Sequence, residues 1–215
     1  MVLDTTEYNE DYFNGRQTGT RYLWGYADIK ANSQLNRFDS GDKANKYNSN
    51  LNVHFSRFKG NPVLANYDVL DVGGATGNAS IYLKNQVGIK SYTILDLNID
   101  GWLEANKVDT VDNFITGDAR IALADKGLFK KNSYDMLLTY QFLECIDDAD
   151  LHDLIKQMNR VTKSVQVHFV SDPSFIDHVP TRSLYNFKTL EEWKALNWEA
   201  GTQLINLHTN ELVNT

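Results

Sequence analysis

Leu70-Asp71-Val72-Gly73-Gly74-Ala75-Thr76-Gly77 is the stretch that decides the fold, because an apolar run leads directly into a cluster of glycines. A buried strand that turns sharply into a helix is expected here. Glycine permits positive φ and lets a ligand lie against bare backbone. The helix that follows presents backbone N–H donors with no partner inside the helix. The stretch therefore predicts a strand, a loop and a helix that hold the nucleoside end of a cofactor; an ordinary glycine turn is the alternative.

The spacing of these glycines argues against two common nucleotide sites. Gly73, Gly74 and Gly77 are out of register with the dinucleotide fingerprint GxGxxG, which disfavours an NAD-dependent oxidoreductase. No Gly-Lys-Ser/Thr follows the loop, so it is not a phosphate-binding P-loop.

Strand-like and helix-like patterns alternate along the rest of the chain. We predict strands over 69–72, 92–97, 113–118, 134–139 and 165–170, and helices over 79–85, 99–107 and 149–161. This alternation predicts an α/β fold, a doubly wound and mostly parallel sheet with helices on both faces. Ligands bind such sheets at the carboxyl ends of the strands. Residues 51–215 form this domain, and residues 1–50 form an N-terminal extension or lid.

Two acidic residues end predicted strands in the order that a nucleoside site needs. Asp96 follows the glycine loop by about 20 residues, where a carboxylate can accept hydrogen bonds from both ribose hydroxyls; a solvated aspartate at a strand end is the alternative. Asp118 ends the third strand and could accept a hydrogen bond from an adenine amine; a turn or helix-cap role is about equally compatible. The conjunction of both acids with the loop favours a nucleoside-binding site.

At these residues the chain resembles the class I S-adenosylmethionine-dependent methyltransferases. Residues 70–77 are similar to the first motif of that family, with Ala75 in place of its middle glycine. Residues 134–145 resemble the fourth motif, in which Cys145 replaces a common histidine, and residues 158–163 resemble the run before the fifth strand. The resemblance covers about residues 67 to 171 and implies a seven-stranded Rossmann-like sheet.

The resemblance implies a cofactor and the residues that contact it. The cofactor is S-adenosylmethionine and the product S-adenosylhomocysteine, and methyl transfer is in line. The implied cofactor-binding residues are Asp71, Gly73, Gly74, Ala75, Gly77, Asp96, Leu97, Asp118, Ala119 and Tyr140. Asp71 or Tyr140 could steady the positive sulfonium, the latter by cation–π contact.

The N-terminal extension is rich in aromatic residues. Residues 9–15 resemble a segment that caps the cofactor pocket in some bacterial and phage members of the family. We therefore expect Tyr8, Tyr12, Tyr22 and Trp24 to line an acceptor pocket. A packed extension without substrate contact is the alternative.

The composition and charge of the chain limit the kinds of partner and the cellular location that we expect. The formal net charge is −7 without a basic patch, which disfavours nucleic acid. A single cysteine, Cys145, permits no internal disulfide and suits a reducing compartment. No secretory signal and no apolar run of membrane-spanning length is visible, so we expect a cytoplasmic protein without membrane contact.

The sequence contains few patterns that indicate the methyl acceptor or a catalytic residue. His178 follows the fifth strand and is the leading candidate for a general base. No Asp/Asn-Pro-Pro-Tyr/Phe follows the fourth strand, which disfavours methylation of DNA bases, and no metal-ligand spacing is present. A small-molecule or glycan acceptor is predicted, and a protein side chain is also compatible. The second hypothesis is a non-catalytic cofactor-binding or regulatory protein with the same fold.

Overall fold

The central strands form at the continuous apolar runs of the sequence. A strand that is covered on both faces of the sheet directs successive side chains into two buried layers, so apolar residues are favoured at successive positions. The computed structural model describes residues 17–18, 21–22, 55–75, 77–97, 109–140, 142–170, 186, 188–199, 204–206 and 211–214. Five parallel strands make the centre of the sheet: β3 (Asp68–Val72), β4 (Ser91–Asp96), β5 (Asn113–Thr116), β6 (Tyr134–Tyr140) and β7 (Thr162–Phe169).

The order of these strands places a switch point beside β3. The strands lie as β5-β4-β3-β6-β7, so the chain first moves outward from β3 to β5 and then returns to add β6 on the other side. Two later strands, β8 (Leu204–Asn206) and β9 (Glu211–Asn214), extend the sheet: β9 lies antiparallel to β7, and β8 lies antiparallel to β9. The parallel, Rossmann-like part of the fold prediction is confirmed.

Alternate side chains of the strands pack on opposite faces of the sheet. Val69 belongs to a cluster with Phe55 and Leu83, whereas Leu70 and its neighbours on the other face pack under the longest helix. That helix supplies the buried residues Leu151, Leu154, Met158 and Val161. Both faces of the sheet are therefore covered, as the alternation of strands and helices predicts.

Four α-helices occur among the described residues: α1 (Asn78–Tyr82), α2 (Ala119–Ala122), α3 (Asp148–Val161) and α4 (Leu190–Glu199). A π-helical turn, Leu83–Val87, continues α1 and ends at Gly88, whose φ is 84°. Short 3₁₀ turns cover Ser56–Phe58 and Leu143–Cys145. Within the part of the chain that the structure describes, no helix is long and apolar enough to cross a membrane.

Some element predictions shift and others lie outside the described residues. Strand β7 begins at residue 162 rather than 165, and β5 ends at residue 116 rather than 118. The predicted helix at 99–107 and most of the N-terminal extension are outside the described residues. Within residues 1–50 the structure describes two short strands, β1 (Gln17–Thr18) and β2 (Arg21–Tyr22), which pair antiparallel.

Candidate functional site at the carboxyl ends of the strands

The glycine loop leaves β3 in a backbone conformation that few side chains tolerate. Gly73, Ala75 and Gly77 have φ of 77°, 46° and 76°. A Cβ at Gly73 would lie 2.5 Å from Cδ2 of Phe142, so space as well as conformation requires glycine there. The Gly77 N–H donates to the Gly74 carbonyl over 2.8 Å and closes the turn. The loop is therefore a tight backbone cradle, as the sequence predicts.

Asp96 ties this loop to the end of the neighbouring strand. The backbone N–H of Ala75 donates to Oδ2 of Asp96 over 2.9 Å. On the other side, the Gly117 N–H donates to the Asp96 carbonyl over 2.8 Å. Leu97, the next residue, is 44% exposed. The ends of β3, β4 and β5 thus meet around one partly exposed carboxylate, where the sequence predicts the ribose-binding acid.

Asp71 lies behind the loop rather than at its surface. Its side chain is buried, and the Tyr92 hydroxyl donates to Oδ2. No described residue donates a hydrogen bond to Oδ1. A Cβ on Gly74 would lie 2.6 Å from Oδ2, so the loop packs directly on this carboxyl group. Burial raises the pKa of Asp71 to about 7, against the smaller opposing effect of the Tyr92 hydrogen bond.

Asp118 begins α2 and is held by Arg120. Its Oδ1 accepts from the Arg120 backbone N–H over 2.9 Å, which makes it a helix cap. The Arg120 guanidinium also donates to both carboxylate oxygens and reaches Asp150 on α3. Burial alone would raise the pKa of Asp118, but the hydrogen bonds and charge of Arg120 outweigh burial and lower it. The helix-cap alternative is thus present in the structure; Ala119 beside it is buried.

Tyr140 closes the carboxyl end of β6. Its ring centroid lies 5.3 Å from that of Phe169 on β7. Burial, with a smaller contribution from Glu144, raises the pKa of Tyr140 to about 12, so the phenol stays protonated at neutral pH. Phe142 continues from this strand end and covers Gly73.

His168 lies in a buried polar network on β7. Its Nδ1 is 2.9 Å from the Thr139 hydroxyl oxygen, and its Nε2 is 3.0 Å from Oε1 of Gln166. The Gln166 amide donates to Asn159 on α3, so the network favours a histidine that donates through Nε2 and accepts at Nδ1. Burial lowers the pKa of His168 to about 3. The burial and the hydrogen bonds of His168 therefore indicate a structural role.

The remaining predicted residues cannot be placed. His178, Tyr8, Tyr12 and Trp24 lie outside the described residues, and for Tyr22 only the strand position is described. The sequence reasoning missed two residues that the structure adds, Arg120 and Phe142. The spacing of Arg120, two positions after the capping Asp118, could have predicted their ion pair from the sequence. The contact of Phe142 with Gly73 depends on tertiary packing alone.

Comparisons with known proteins agree with this geometry. Residues 69–164 match the family model described as a methyltransferase domain. A S-adenosylmethionine-dependent methyltransferase from Archaeoglobus fulgidus shares the fold with a TM-score of 0.58 at 20% identity, over 72% of this chain and 67% of that one. A S-adenosylmethionine-dependent methyltransferase from Aquifex aeolicus gives 0.56 at 15% identity, over 76% and 88% of the two chains.

A third similar structure is phosphoethanolamine N-methyltransferase 2 of Haemonchus contortus in complex with S-adenosylmethionine. Its TM-score is 0.55 at 20% identity, over 74% of this chain and 38% of that one. No sequence among the curated proteins matches this chain. Identities this low show a shared fold and no more. Residues 69–164 therefore match a methyltransferase domain, and the chain shares the Rossmann-like fold of solved S-adenosylmethionine-dependent methyltransferases.

Proposed function

We propose that this protein is a S-adenosylmethionine-dependent methyltransferase that acts on a small-molecule or glycan acceptor. The observation that carries the proposal is the hydrogen bond from the Ala75 N–H to Asp96. It joins the glycine loop to the strand-end acid at the switch point of the sheet, where nucleoside ligands bind folds of this kind. The match of residues 69–164 to a methyltransferase domain supports the same reading.

The residues present fit the cofactor. The loop from Gly73 to Gly77 has backbone conformations that bring the bare chain close to a ligand. Asp96 would accept hydrogen bonds from the ribose hydroxyls, Asp118 from the adenine amine, and Leu97 would pack against the base. When bound, S-adenosylmethionine supplies an electrophilic methyl group on a sulfonium, so alignment of the acceptor is the main task of the protein.

The remaining parts of the proposed enzyme extend beyond the cofactor cradle. The pairing of β9 with β7 and of β8 with β9 supports the seven-stranded form of the sheet. Residues 1–50 would form the lid, with Tyr8, Tyr12, Tyr22 and Trp24 toward the acceptor and His178 as the base. Net charge of −7 supports an acceptor other than nucleic acid.

Calorimetric titration with S-adenosylmethionine and, separately, with NAD tests the proposal. We expect micromolar binding of S-adenosylmethionine and none of NAD. Asp96→Asn keeps an oxygen for the Ala75 N–H but removes the charge, so we expect about 10- to 100-fold weaker binding, since a hydrogen bond to a charged group contributes about 1.5–3 kcal/mol. Asp153→Asn is the matched control, because it removes the same charge from a side chain that is 85% exposed on α3.

Each outcome has a definite meaning. Absence of S-adenosylmethionine binding to the wild-type protein would contradict the proposal. Equal affinity of the Asp96→Asn and wild-type proteins would remove Asp96 from the site. Tight binding without methyl consumption across small-molecule and glycan acceptors would favour the non-catalytic alternative.

A further inference from the structure

The carboxyl group of Asp71 is buried with a single hydrogen-bond donor. Its side chain is 3% exposed, and the Tyr92 hydroxyl donates to Oδ2. Oδ1 accepts no hydrogen bond from a described residue. An ionised carboxylate has about four acceptor positions, and a buried one is normally paired with a cation or with several donors. One phenol hydroxyl does not satisfy a buried charge, so this geometry favours the neutral, protonated form of Asp71 in the free protein.

The groups that face Asp71 do not offset the cost of ionisation. Among the described residues, the titratable groups that act on it are Tyr92 and Asp96, both on β4, and neither is a cation. Strand β6 places Leu138 beside Asp71, and the loop places Gly74 on it. Burial raises the pKa of Asp71 to about 7, while the Tyr92 hydrogen bond lowers it and Asp96 raises it by smaller amounts. Both forms of the carboxyl group are therefore accessible near neutral pH.

Gly74 packs on Asp71 with no side chain between them. A Cβ on Gly74 would lie 2.6 Å from Oδ2 and 2.7 Å from Cγ of Asp71. A charge on the outer face of the loop would therefore act on Asp71 across one layer of backbone atoms, without touching it. Salt and water screen an interaction with a buried group much less than one between exposed groups.

The order of the strands indicates where the charge of the cofactor would lie. The proposed ribose acceptor, Asp96, ends β4, and the proposed base-binding position follows β5, the next strand outward. The base and the carbon that carries the sulfur leave the ribose ring on opposite sides. Because the strands lie as β5-β4-β3-β6, the sulfur would point toward β3 and its glycine loop. The positive sulfonium would thus lie on the loop, with Asp71 beneath it.

We propose that Asp71 is a proton-linked charge by which this site distinguishes the sulfonium cofactor from its neutral thioether product. The inference rests on the proposed function, because it takes S-adenosylmethionine as the ligand of the loop. A positive charge on the loop favours the ionised carboxylate, so Asp71 releases its proton to solvent when the cofactor binds. The thioether of S-adenosylhomocysteine carries no such charge, and Asp71 keeps its proton. Since proton release and affinity are linked reciprocally, a rise in pH favours the cofactor over the product.

Calorimetry of the protein with S-adenosylmethionine and with S-adenosylhomocysteine, from about pH 5.5 to about pH 8.5, tests this inference. Each titration is repeated in a second buffer with a different ionisation enthalpy, which gives the number of protons released on binding. Near pH 7 we expect S-adenosylmethionine to release more protons than S-adenosylhomocysteine does. The ratio of the two affinities should shift toward S-adenosylmethionine by about fivefold or more as the pH rises.

Three variants isolate the contribution of Asp71. Asp71→Asn cannot titrate, so it should lose this shift; the amino groups of the two ligands titrate in the same way with both proteins and cancel in the comparison. Asp153→Asn, at a side chain that is 85% exposed on α3, is the matched control and should keep the wild-type profile. Tyr92→Phe removes the hydrogen bond that lowers the pKa of Asp71, so the midpoint of the shift should move to higher pH.

The outcomes separate this inference from the proposed function. Failure of the wild-type protein to bind either ligand would overturn the proposed function, and this inference with it. Binding with the same pH dependence and the same proton release in the wild type and in Asp71→Asn would overturn the inference alone. If Asp71→Asn does not fold, an unchanged midpoint in Tyr92→Phe would overturn it.

Discussion

Replacing Asp71 with asparagine should remove one pH dependence from the free energy of unfolding. The pKa of Asp71 is about 7 in the folded protein, against an ordinary value of 3.8. The folded state therefore holds a proton that the unfolded state releases across this range. The contribution of Asp71 to the free energy of unfolding is therefore fully present below about pH 4 and is lost as the pH rises to about 7.

The size of this effect follows from the shift. At about 1.4 kcal/mol per pH unit, the change from 3.8 to about 7 corresponds to about 4 kcal/mol of lost stability. Asparagine has no charge to bury, but its amide N–H₂ replaces the Oδ1 that accepts no hydrogen bond from a described residue. An unsatisfied buried group of this kind costs about 1–3 kcal/mol. The Asp71→Asn protein should thus be the less stable one at acid pH and should equal or exceed the wild type above about pH 7.

Urea unfolding of both proteins from about pH 4 to about pH 9 measures the difference. We expect the difference in the free energy of unfolding, variant minus wild type, to rise by several kcal/mol between about pH 4 and about pH 7. Above about pH 7 the difference should stay constant. Asp153→Asn, on an exposed position of α3, is the matched control because it makes the same substitution away from the site. A flat difference for Asp71→Asn would refute the reasoning that burial beneath Gly74 controls this carboxyl group.

Three further predictions use the same site. The pKa of His168 is about 3 in the folded protein, against an ordinary value of 6.5. The stability that the neutral histidine contributes is therefore lost as the pH falls from about 6.5 to about 3, by at most about 5 kcal/mol. His168→Gln should remove this loss when unfolding by urea is measured at acid pH. Tyr92→Phe removes the hydrogen bond that lowers the pKa of Asp71, so the same titrations should show the loss of stability from Asp71 extending to higher pH. Gly74→Ala should lower the melting temperature by several degrees, because its Cβ would lie 2.6 Å from Oδ2 of Asp71, whereas Gly117→Ala, whose Cβ meets nothing nearer than 3.7 Å, should change it little.

The effects of His168 and Asp71 oppose each other in the wild-type protein. Between about pH 4 and about pH 6.5, the histidine makes the protein more stable as the pH rises, while the aspartate makes it less stable. The wild-type stability should therefore be flatter across this range than that of either single variant. If the free energy of unfolding of the wild type changed with pH as steeply as that of both variants, the prediction that the two residues have opposite effects would be contradicted.

The amino-acid sequence by itself determined the framework of the site. Alternating apolar strands and helical patterns predict a parallel sheet, and the positions of Gly73 to Gly77, Asp96 and Asp118 at strand ends follow from that pattern. These are local properties: a strand end, a glycine turn and a capping aspartate each depend on a few consecutive residues. Parallel strands then bring their carboxyl ends to one edge whatever the remaining contacts are.

Only the tertiary structure decided which of these residues are buried and which partners hold them. Burial of Asp71 beneath Gly74 and its partner Tyr92 depend on the register of β3 with β4, which no local pattern specifies. The bond from Arg120 to Asp150 joins residues 30 positions apart in the chain, because α2 and α3 begin side by side. Hydrophobic periodicity reports which face of an element is buried, but the partner that each polar group finds is set by packing between elements.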